Sequence, residues 1–324
     1  MPTDDHLDVD LDFLRVSARD FLAGRGEKDS IEELARLDWT GLLVADADGG
    51  VGWRPVEAAV IAEEIGRAGD RSAWLGSAVA AAALATAPDA VRQELLPGLL
   101  DGSVAAAVAL PTSAETVRVA RADRCASLVL LADDGIELIN PVDGLPRRDD
   151  ADLLDVNRPV HRVDVSGAPR QSIGTAERSA ELRRVARLLV SADSIGALSA
   201  TFDRLVGYLN DRIAFGAPIA SFQAVQHRLV DLLVLQVKSR AIVMKAMRAV
   251  AAGDPQAALL TASAHAFVAA KTTAAVDECM QLSGGIGFTW EYPLHHELRR
   301  VFDNAQLFGT ARAGHAELME VAGW

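Results

Sequence analysis

The sequence predicts a mostly α-helical fold with a small β insert near its middle. Half of its 324 residues are hydrophobic but only 5% are aromatic, and alanine, the strongest helix former, is abundant. Apolar residues keep a helical spacing in two blocks that flank a stretch of short, strand-like runs. We therefore expect an N-terminal helical domain at residues 1–102, a small middle β domain at 103–172 and a C-terminal helical domain at 173–324.

The first block reads as a series of helices. Residues 56–69 carry apolar side chains at helical spacing and close at glycines. Within this segment Glu63 and Glu64 are adjacent, and we interpret them as part of a solvated face. Two further helices are predicted at residues 74–87 and 89–99.

The middle stretch reads as strands separated by Asp, Gly and Pro turns. Residues 132–138, ADDGIEL, predict a β-hairpin, because an Asp-Gly pair between hydrophobic runs favours a tight turn. Helical periodicity returns near Thr175 and continues almost to the last residue. It breaks at residues 214–223, 251–257 and 284–287, which predicts three or four long helices.

Charge and cysteine content exclude several classes of protein. A net charge of -13 and a pI near 5.0 argue against a nucleic-acid partner, because such binding needs a basic face. Cys125 and Cys279 share no short spacing, so we expect no CxxC metal site and no disulfide framework, as is typical of a reducing cytoplasm. The alanine-rich runs are too short to span a bilayer. We expect a soluble, cytoplasmic protein without a membrane partner.

The histidines give no signal for a metal site. His295 and His296 are neighbours on a predicted helix and point to different faces, so they do not form the i, i+4 pair of many zinc sites. We expect them to be surface or packed residues. The sequence also contains no GxSxG elbow and no Cys-His nucleophile pair.

Two segments carry a more specific signal. They are RIAFGAPIASFQAVQHRLVDL at residues 212–232 and QLSGGIGFTWEYPLHHELRR at residues 281–300. Together they resemble the two most specific signatures of the acyl-CoA dehydrogenase family. Weaker matches, VIAEEIGRAG and LLPGLLDG, and the helix-β-helix order extend the resemblance to nearly the whole chain. On this resemblance the chain is identified as a member of that family, and the C-terminal domain is expected to be a four-helix bundle.

The resemblance implies a flavoprotein that oxidises the Cα–Cβ bond of an acyl-CoA thioester. In this family a carboxylate removes the α-proton while FAD accepts the β-hydrogen as hydride. Family members are usually dimers of dimers, in which the adenine end of each flavin reaches a neighbouring subunit. FAD, an acyl-CoA substrate and a second subunit are therefore the expected partners.

Seven residues match family positions that contact FAD. They are Arg212, Phe215, Gln223, Gln281, Gly284, Gly285 and Thr310. The first three match residues that bind the pyrophosphate and adenosine of a neighbour's FAD, where an arginine fork suits two phosphate oxygens. The next three match a turn against the same cofactor, and the threonine matches one near that phosphate. The glycine turn is not a GxGxxG after a strand, which excludes a Rossmann interpretation.

The catalytic glutamate of the family is absent from both positions where it occurs. In most members it lies two residues before a threonine, and here that position is Phe308. In a second group it precedes an arginine on an earlier helix, and here Ala186 occupies that place before Arg187. Arg187 matches the family arginine beside the substrate, although an ordinary helix-surface arginine is the alternative. Loss of a positioned base usually costs roughly 10²–10⁴ in rate.

The β insert also lacks the family's contacts to the flavin ring. Most relatives carry a Thr-Glu-Pro-x-Ala-Gly-Ser-Asp loop and a Trp-Ile-Thr strand, whereas residues 109–125 read ALPTSAETVRVARADRC. The residues that reach a neighbour's cofactor are retained, and those that serve the chain's own flavin are not. The resemblance therefore implies the non-catalytic subunit of a heteromeric acyl-CoA dehydrogenase, expected as an α2β2 assembly, of the kind that acts in bacterial steroid degradation.

Two alternatives remain open at the level of sequence. One is a homomeric enzyme with an unusual base such as Asp193, which lies seven residues after Ala186, or some 10 Å along a helix. The other is a redox-silent acyl-CoA binding or scaffold protein that keeps only the fold. Retention of Arg212, Gln223 and the glycine turn argues against the scaffold, since a scaffold needs no pyrophosphate site.

Overall fold

A computed structural model describes residues 4–26, 28–111, 115–148 and 154–323. The N-terminal part consists of helices, as expected. They are α1 (Asp4–Gly24), α2 (Glu32–Ala35), α3 (Pro55–Ala68), α4 (Trp74–Leu84) and α5 (Asp89–Leu100). The three helices predicted from periodicity are confirmed as α3, α4 and α5. Helix α4 is almost completely buried, because its alanine-rich sequence lets neighbouring elements pack on every side.

Among the described residues, seven short strands follow in the middle of the chain. They are β1 (Ala106–Ala109), β2 (Thr116–Ala120), β3 (Ser127–Leu131), β4 (Gly135–Ile139), β5 (Arg147–Arg148), β6 (Val160–Asp164) and β7 (Gln171–Thr175). One sheet has the order β1-β3-β4-β7 and another the order β2-β6-β5. The pairing is antiparallel except between β1 and β3. The hairpin predicted at residues 132–138 is confirmed as the β3–β4 connection.

The C-terminal part is a bundle of long helices. Its elements are α6 (Ala176–Asp211), the β8–β9 hairpin (Ile213–Ala214 and Ala217–Pro218), α7 (Gln223–Ala251), α8 (Ala257–Ser283), α9 (Leu294–Leu307) and α10 (Ala311–Ala322). Thr175 caps α6 by accepting a hydrogen bond from the Arg178 amide, which explains why the helix begins there. Helices α6 to α9 run alternately up and down. The predicted architecture of N-terminal helices, a small β part and a helical bundle is confirmed.

Two glycines allow α3 and α6 to cross at very short distance. A Cβ atom at Gly66 would lie 2.0 Å from the Asp193 carbonyl oxygen, and one at Gly196 would lie 1.8 Å from the Glu63 carbonyl oxygen. The two backbones are therefore in direct contact, which no larger residue permits. This crossing joins the N-terminal helices to the bundle and fixes the position of Asp193.

The interpretation of Glu63 and Glu64 as a solvated face is wrong. Both side chains are buried, with 3% and 1% of their surface exposed. Glu64 accepts two hydrogen bonds from Arg19 of α1, and Glu63 pairs with Arg15 of α1 and Arg240 of α7. These carboxylates tie three helices together, since a buried charge is tolerated only when it is paired.

Helix α6 is long and apolar enough to cross a membrane when judged by length and composition alone. However, 89% of its most apolar window is buried inside the fold. This is the behaviour of a core helix that packs against α3, α7, α8 and α9. Cys125 and Cys279 are both buried and free, and burial raises the pKa of each thiol to about 12.

We expect the glycine crossing to be essential for stability. The Gly196→Ala substitution should lower the free energy of unfolding by roughly 1–3 kcal/mol or more, because its methyl group would force α3 and α6 apart. Chemical denaturation followed by circular dichroism measures the change.

Gly207 provides a matched control on the same helix. It is exposed, and a Cβ there would meet no atom within 4 Å. Gly207→Ala should therefore stabilise the protein by roughly 0.5–1 kcal/mol. Equal changes in the free energy of unfolding for Gly196→Ala and Gly207→Ala would show that the close contact of α3 and α6 does not require glycine at position 196.

Candidate functional site

Most of the predicted cofactor residues lie at one end of the helical bundle. Because adjacent helices alternate in direction, the C-terminal ends of α6 and α8 meet the N-terminal ends of α7 and α9. The rings of Tyr208 and Tyr292 are 5.8 Å apart, which places the end of α6 beside the segment that precedes α9. Arg228 of α7 pairs with Glu278 of α8 at the same end. We call this region, residues 208–223 and 281–292, the bundle end.

The β8–β9 hairpin projects from the bundle end. Arg212 directly follows α6, and its side chain is exposed. The turn residues Phe215 and Gly216 both have a positive φ, at 55° and 82°, so the hairpin reverses tightly. The Phe215 side chain is 99% exposed, and its ring lies edge-to-face with the Phe222 ring, with 6.3 Å between their centroids. A large aromatic side chain held in this way, beside an exposed arginine, is suited to contact another molecule.

The glycine turn forms the second part of the bundle end. Gly284 has a φ of 67°, and Gly284 and Gly285 are exposed with no atom within 4 Å of a Cβ placed on either. Their backbone is therefore accessible from outside. Gln281, in the last turn of α8, and Gln223, the first residue of α7, are also exposed. The structure thus brings together six of the seven predicted cofactor residues.

Thr310 does not belong to this group. It caps α10 by accepting a hydrogen bond from the Ala313 amide. Its neighbour Gly309 lies beside Arg187, and Arg187 is about 37 Å from Arg212 along the axis of α6. Within one chain, α9 returns along α6 and carries Thr310 to the opposite end of the bundle from Arg212. Its contact with the cofactor phosphate stays a prediction.

Phe308 fills the place where the family base was expected. Its ring is 1% exposed and lies between the start of α4, the β insert and the end of α9. The cavity left beside it measures only about 10 Å³ and is lined by Ser72, Gly76, Arg121 and Arg158, among others. Such a cavity holds at most about one water molecule. Neither a flavin ring nor a thioester fits there.

The second possible base position is also closed. Ala186 is completely buried in the core, and Arg187 is already engaged by protein groups. The Arg187 Nε atom donates to the Phe308 carbonyl oxygen at 3.0 Å, and its Nη1 atom pairs with Glu317 of α10. These contacts hold the segment around Phe308 in place. They leave the predicted substrate-binding role of Arg187 without support from the geometry.

Asp193 forms the centre of a buried network of charges. Arg300 of α9 donates to both of its carboxylate oxygens, at 2.8 and 2.5 Å, and Asn304 donates to Oδ1 at 2.7 Å. Arg158, which precedes β6, approaches Oδ2 at 3.4 Å. Burial alone would raise the pKa of Asp193, but the charges of Arg158 and Arg300 and these hydrogen bonds lower it to about 2.

This arrangement prevents Asp193 from acting as a base. Its side chain has no exposed surface, and both oxygens are occupied. A carboxylate with a pKa near 2 has little tendency to accept a proton at neutral pH. The geometry therefore rejects the alternative in which Asp193 replaces the missing glutamate.

A second pair of carboxylates lies next to this network. The Asp155 amide donates to Asp303 Oδ2 at 3.1 Å, which joins the loop before β6 to α9. Burial raises the pKa of Asp303 to about 6, and the nearby charge of Asp155 acts in the same direction. Arg300 also donates to the Asp70 carbonyl oxygen at 2.6 Å. The network thus connects the N-terminal helices, the β insert and the bundle.

Sequence reasoning missed this network. Glu297, Arg300 and Asn304 recur at intervals of three and four residues, which places them on one face of α9. That spacing is the one signal that could have drawn attention to them. The identity of their partners could not be read, because Arg158 and Asp193 lie more than 100 residues earlier in the chain.

Two family profiles match the chain. The N-terminal domain of acyl-CoA dehydrogenases matches residues 15–103, and the C-terminal domain of acyl-CoA dehydrogenases matches residues 180–317. Acyl-CoA dehydrogenase IpdE2 of Mycobacterium tuberculosis is 32% identical over 296 residues, covering 89% of this chain and 85% of that protein. Acyl-CoA dehydrogenase IpdE2 of Mycolicibacterium smegmatis is 31% identical over 272 residues, covering 84% and 80%.

Solved structures show the same fold at lower identity. The Tcur3481-Tcur3483 steroid ACAD G363A variant superposes with a TM-score of 0.84 at 24% identity, covering 98% of each chain. The ChsE4-ChsE5 complex from Mycobacterium tuberculosis gives 0.78 at 18% identity, covering 100% of this chain and 98% of the other. Butyryl-CoA dehydrogenase from Megasphaera elsdenii gives 0.79 at 18% identity, covering 97% and 98%.

The raised pKa of Asp303 predicts a pH-dependent stability. Because the folded pKa of about 6 exceeds the reference value of 3.8, the folded state binds this proton more tightly than the unfolded state does. The contribution of Asp303 is therefore present below about pH 4 and is lost as the pH rises through 6. Asp303→Asn cannot ionise, so the stability should no longer fall as the pH rises through 6. The substitution should therefore raise the free energy of unfolding at pH 8 by roughly 2 kcal/mol.

Asp193→Asn serves as a control that should change the stability in the opposite direction. It leaves Arg158 and Arg300 buried without their carboxylate, so it should destabilise the protein by roughly 3–5 kcal/mol at pH 8. Urea unfolding curves of the three proteins between pH 4 and pH 8 make the comparison. An Asp303→Asn variant that is less stable than the parent at pH 8 would contradict our assignment.

Proposed function

This chain belongs to the acyl-CoA dehydrogenase family, and from that premise we propose that it is the non-catalytic subunit of a heteromeric acyl-CoA dehydrogenase. One observation carries the proposal. The bundle end exposes six residues that match family contacts to a neighbour's FAD, whereas the place for the chain's own base and flavin ring is closed. A subunit of this kind completes the cofactor site of a partner and supplies no base.

The residues at the bundle end fit the outer part of FAD. Arg212 makes no ion pair with another part of the chain that the structure describes, so its guanidinium is available for a pyrophosphate. The open backbone at Gly284 and Gly285 allows a phosphate to approach amide groups. When bound, FAD would accept the hydride in the partner's site. The role of this chain would be to hold the cofactor's phosphates and adenosine.

The chain's own site does not fit FAD. The cavity of about 10 Å³ beside Phe308 has no room for a flavin ring, and the Arg158–Asp193–Arg300 network fills the neighbouring interior. Phe308 and Ala186 cannot accept a proton. We therefore derive no dehydrogenation step within this subunit, and we expect one FAD for each pair of subunits.

The outer face of α7 supports association with another subunit. Val230, Leu233, Val234 and Val237 recur at helical spacing and are 43–55% exposed. A continuous apolar stripe of this kind is unusual on a monomer and is typical of a protein interface. We call these four residues the α7 stripe. We propose that it contacts the partner subunit in an α2β2 assembly.

The substrate of the assembly is proposed from similarity. The Tcur3481-Tcur3483 structure is a steroid ACAD. The ChsE4-ChsE5 structure is a complex of two named proteins. We propose that the assembly dehydrogenates a bulky, polycyclic acyl-CoA of the steroid type in the cytoplasm. The acyl group would then lie in the partner, where the base is located.

A redox-silent acyl-CoA binding protein or scaffold is the second candidate. Closure of the pocket beside Phe308 is compatible with it. The exposed group of Arg212, Gln223 and the glycine turn favours the cofactor-completing role, since a scaffold has no use for a phosphate-binding end. Flavin content of the purified assembly distinguishes the two candidates.

Flavin content tests the proposed role directly. The chain should be co-expressed with a glutamate-bearing acyl-CoA dehydrogenase encoded beside it, and FAD should be counted by absorbance per protomer. We expect one FAD per pair and little FAD on this chain alone. A full complement of FAD on the isolated chain would refute the proposal.

Two substitutions separate the bundle end from the closed pocket. Arg212→Ala should lower the FAD content of the assembly at least tenfold, because a charge-assisted contact to phosphate is lost. Phe308→Ala should leave FAD content unchanged even if it lowers the melting temperature, because the ring lies in a closed interior. Equal flavin loss in both variants would contradict the assignment.

The α7 stripe can be tested with a charged substitution. Val234→Glu should abolish co-purification with the partner, because a carboxylate would be buried in an apolar interface. Val321→Glu on α10 is the matched control, since Val234 and Val321 are 43% and 45% exposed. Analytical ultracentrifugation compares the two. Normal assembly of Val234→Glu would exclude the stripe from the interface.

A further inference from the structure

A small cavity lies between the loop before β6 and the start of α9. It measures about 20 Å³ and is separate from the cavity beside Phe308. Its walls include Asp155 and Asn157 of the loop and His296, Glu297 and Arg300 of α9. Roughly 10–15 Å³ is enough to hold one water molecule. The cavity therefore has the size of a single small ligand.

Three polar atoms on the walls have no hydrogen-bond partner among the residues that the structure describes. They are Asp155 Oδ2, Glu297 Oε2 and His296 Nδ1. Asp155 and Glu297 are 1% and 7% exposed, so bulk water does not solvate them. An unsatisfied buried carboxylate oxygen costs free energy. Three such atoms around one cavity indicate a ligand that satisfies all of them.

The second oxygen of each carboxylate is already engaged. Asp155 Oδ1 accepts from the amides of Asn157 and Arg158, at 2.9 and 3.2 Å. Glu297 Oε1 accepts from Arg204, and the three guanidinium nitrogens of Arg300 bond to Asp193 and to the Asp70 carbonyl oxygen. Asp155, Glu297 and Arg300 therefore cannot turn to satisfy one another without breaking these contacts.

The charges around the cavity favour a neutral ligand. The carboxylate of Glu297 is paired with Arg204, and the guanidinium groups of Arg158 and Arg300 lie close enough to Asp155 to interact with its charge. Within the described residues no group of three or more His, Cys, Asp or Glu side chains has an arrangement that could hold a metal ion. Two oxygens need a donor, and an imidazole N–H needs an acceptor. Water offers two donors and an acceptor at this size.

We propose that this cavity holds one ordered water molecule that donates to Asp155 Oδ2 and Glu297 Oε2 and accepts from His296 Nδ1–H. The water links the loop before β6 to α9. Three residues after Asp155, Arg158 enters the network around Asp193. The site thus helps to hold Arg158 beside the closed pocket. It does not depend on the heteromer proposal.

A crystal structure of the full-length chain tests the site. We expect a single density peak roughly 2.6–3.2 Å from each of the three atoms. A second crystal soaked in rubidium chloride distinguishes water from a monovalent cation, because rubidium scatters anomalously. An anomalous peak in the cavity, an empty cavity, or a direct bond between His296 and a carboxylate would overturn the proposal.

Hydrogen exchange of the loop gives a second measurement in solution. His296→Phe keeps the ring but removes the nitrogen, so the Asp155 amide should exchange roughly fivefold faster. His295→Phe is the matched control, because His295 is its neighbour on α9 but does not line the cavity. Equal exchange rates in the two variants would overturn the proposal even if both proteins fold normally.

Discussion

The buried carboxylate of Asp193 is the constraint on which the interior of this protein depends. An isolated charge in a protein interior is very unfavourable, so the fold must supply partners. Arg300 and Asn304 come from α9, and Arg158 comes from the β insert. To reach one carboxylate, these elements must close around α6. Arg158 also lines the cavity of only about 10 Å³ beside Phe308, so the charge network and the filled pocket share a wall.

Helix α6 connects this closed interior to the exposed bundle end. It carries Asp193 in its buried middle and leads directly into Arg212 and the β8–β9 hairpin. The crossing at Gly66 and Gly196 holds the helix against α3 with no freedom to shift. A surface that completes another molecule's site must be rigid, because a mobile contact gives up binding free energy when it is ordered. The packed interior provides that rigidity.

Local sequence patterns were sufficient to predict the elements but not their contacts. The helices followed from periodicity, and the β3–β4 hairpin followed from its Asp-Gly turn. Glu63 and Glu64 were misinterpreted because their partners, Arg15, Arg19 and Arg240, lie on two other helices. A charged pair on a helix looks the same in sequence whether water or arginine surrounds it. Only tertiary packing distinguishes the two cases.

The candidate site also shows that a sequence match does not reveal where the matched residues lie relative to one another. Matching the signatures selected seven residues, and the fold brings six of them to one end. Thr310 lies near Arg187, which is about 37 Å from Arg212 along α6, because α9 runs back along α6. A motif match reports which residues a family uses, but it does not report which subunit uses them. The antiparallel path of the bundle divides this set in two, so one chain carries the proposed cofactor contact at one end and a filled pocket towards the other.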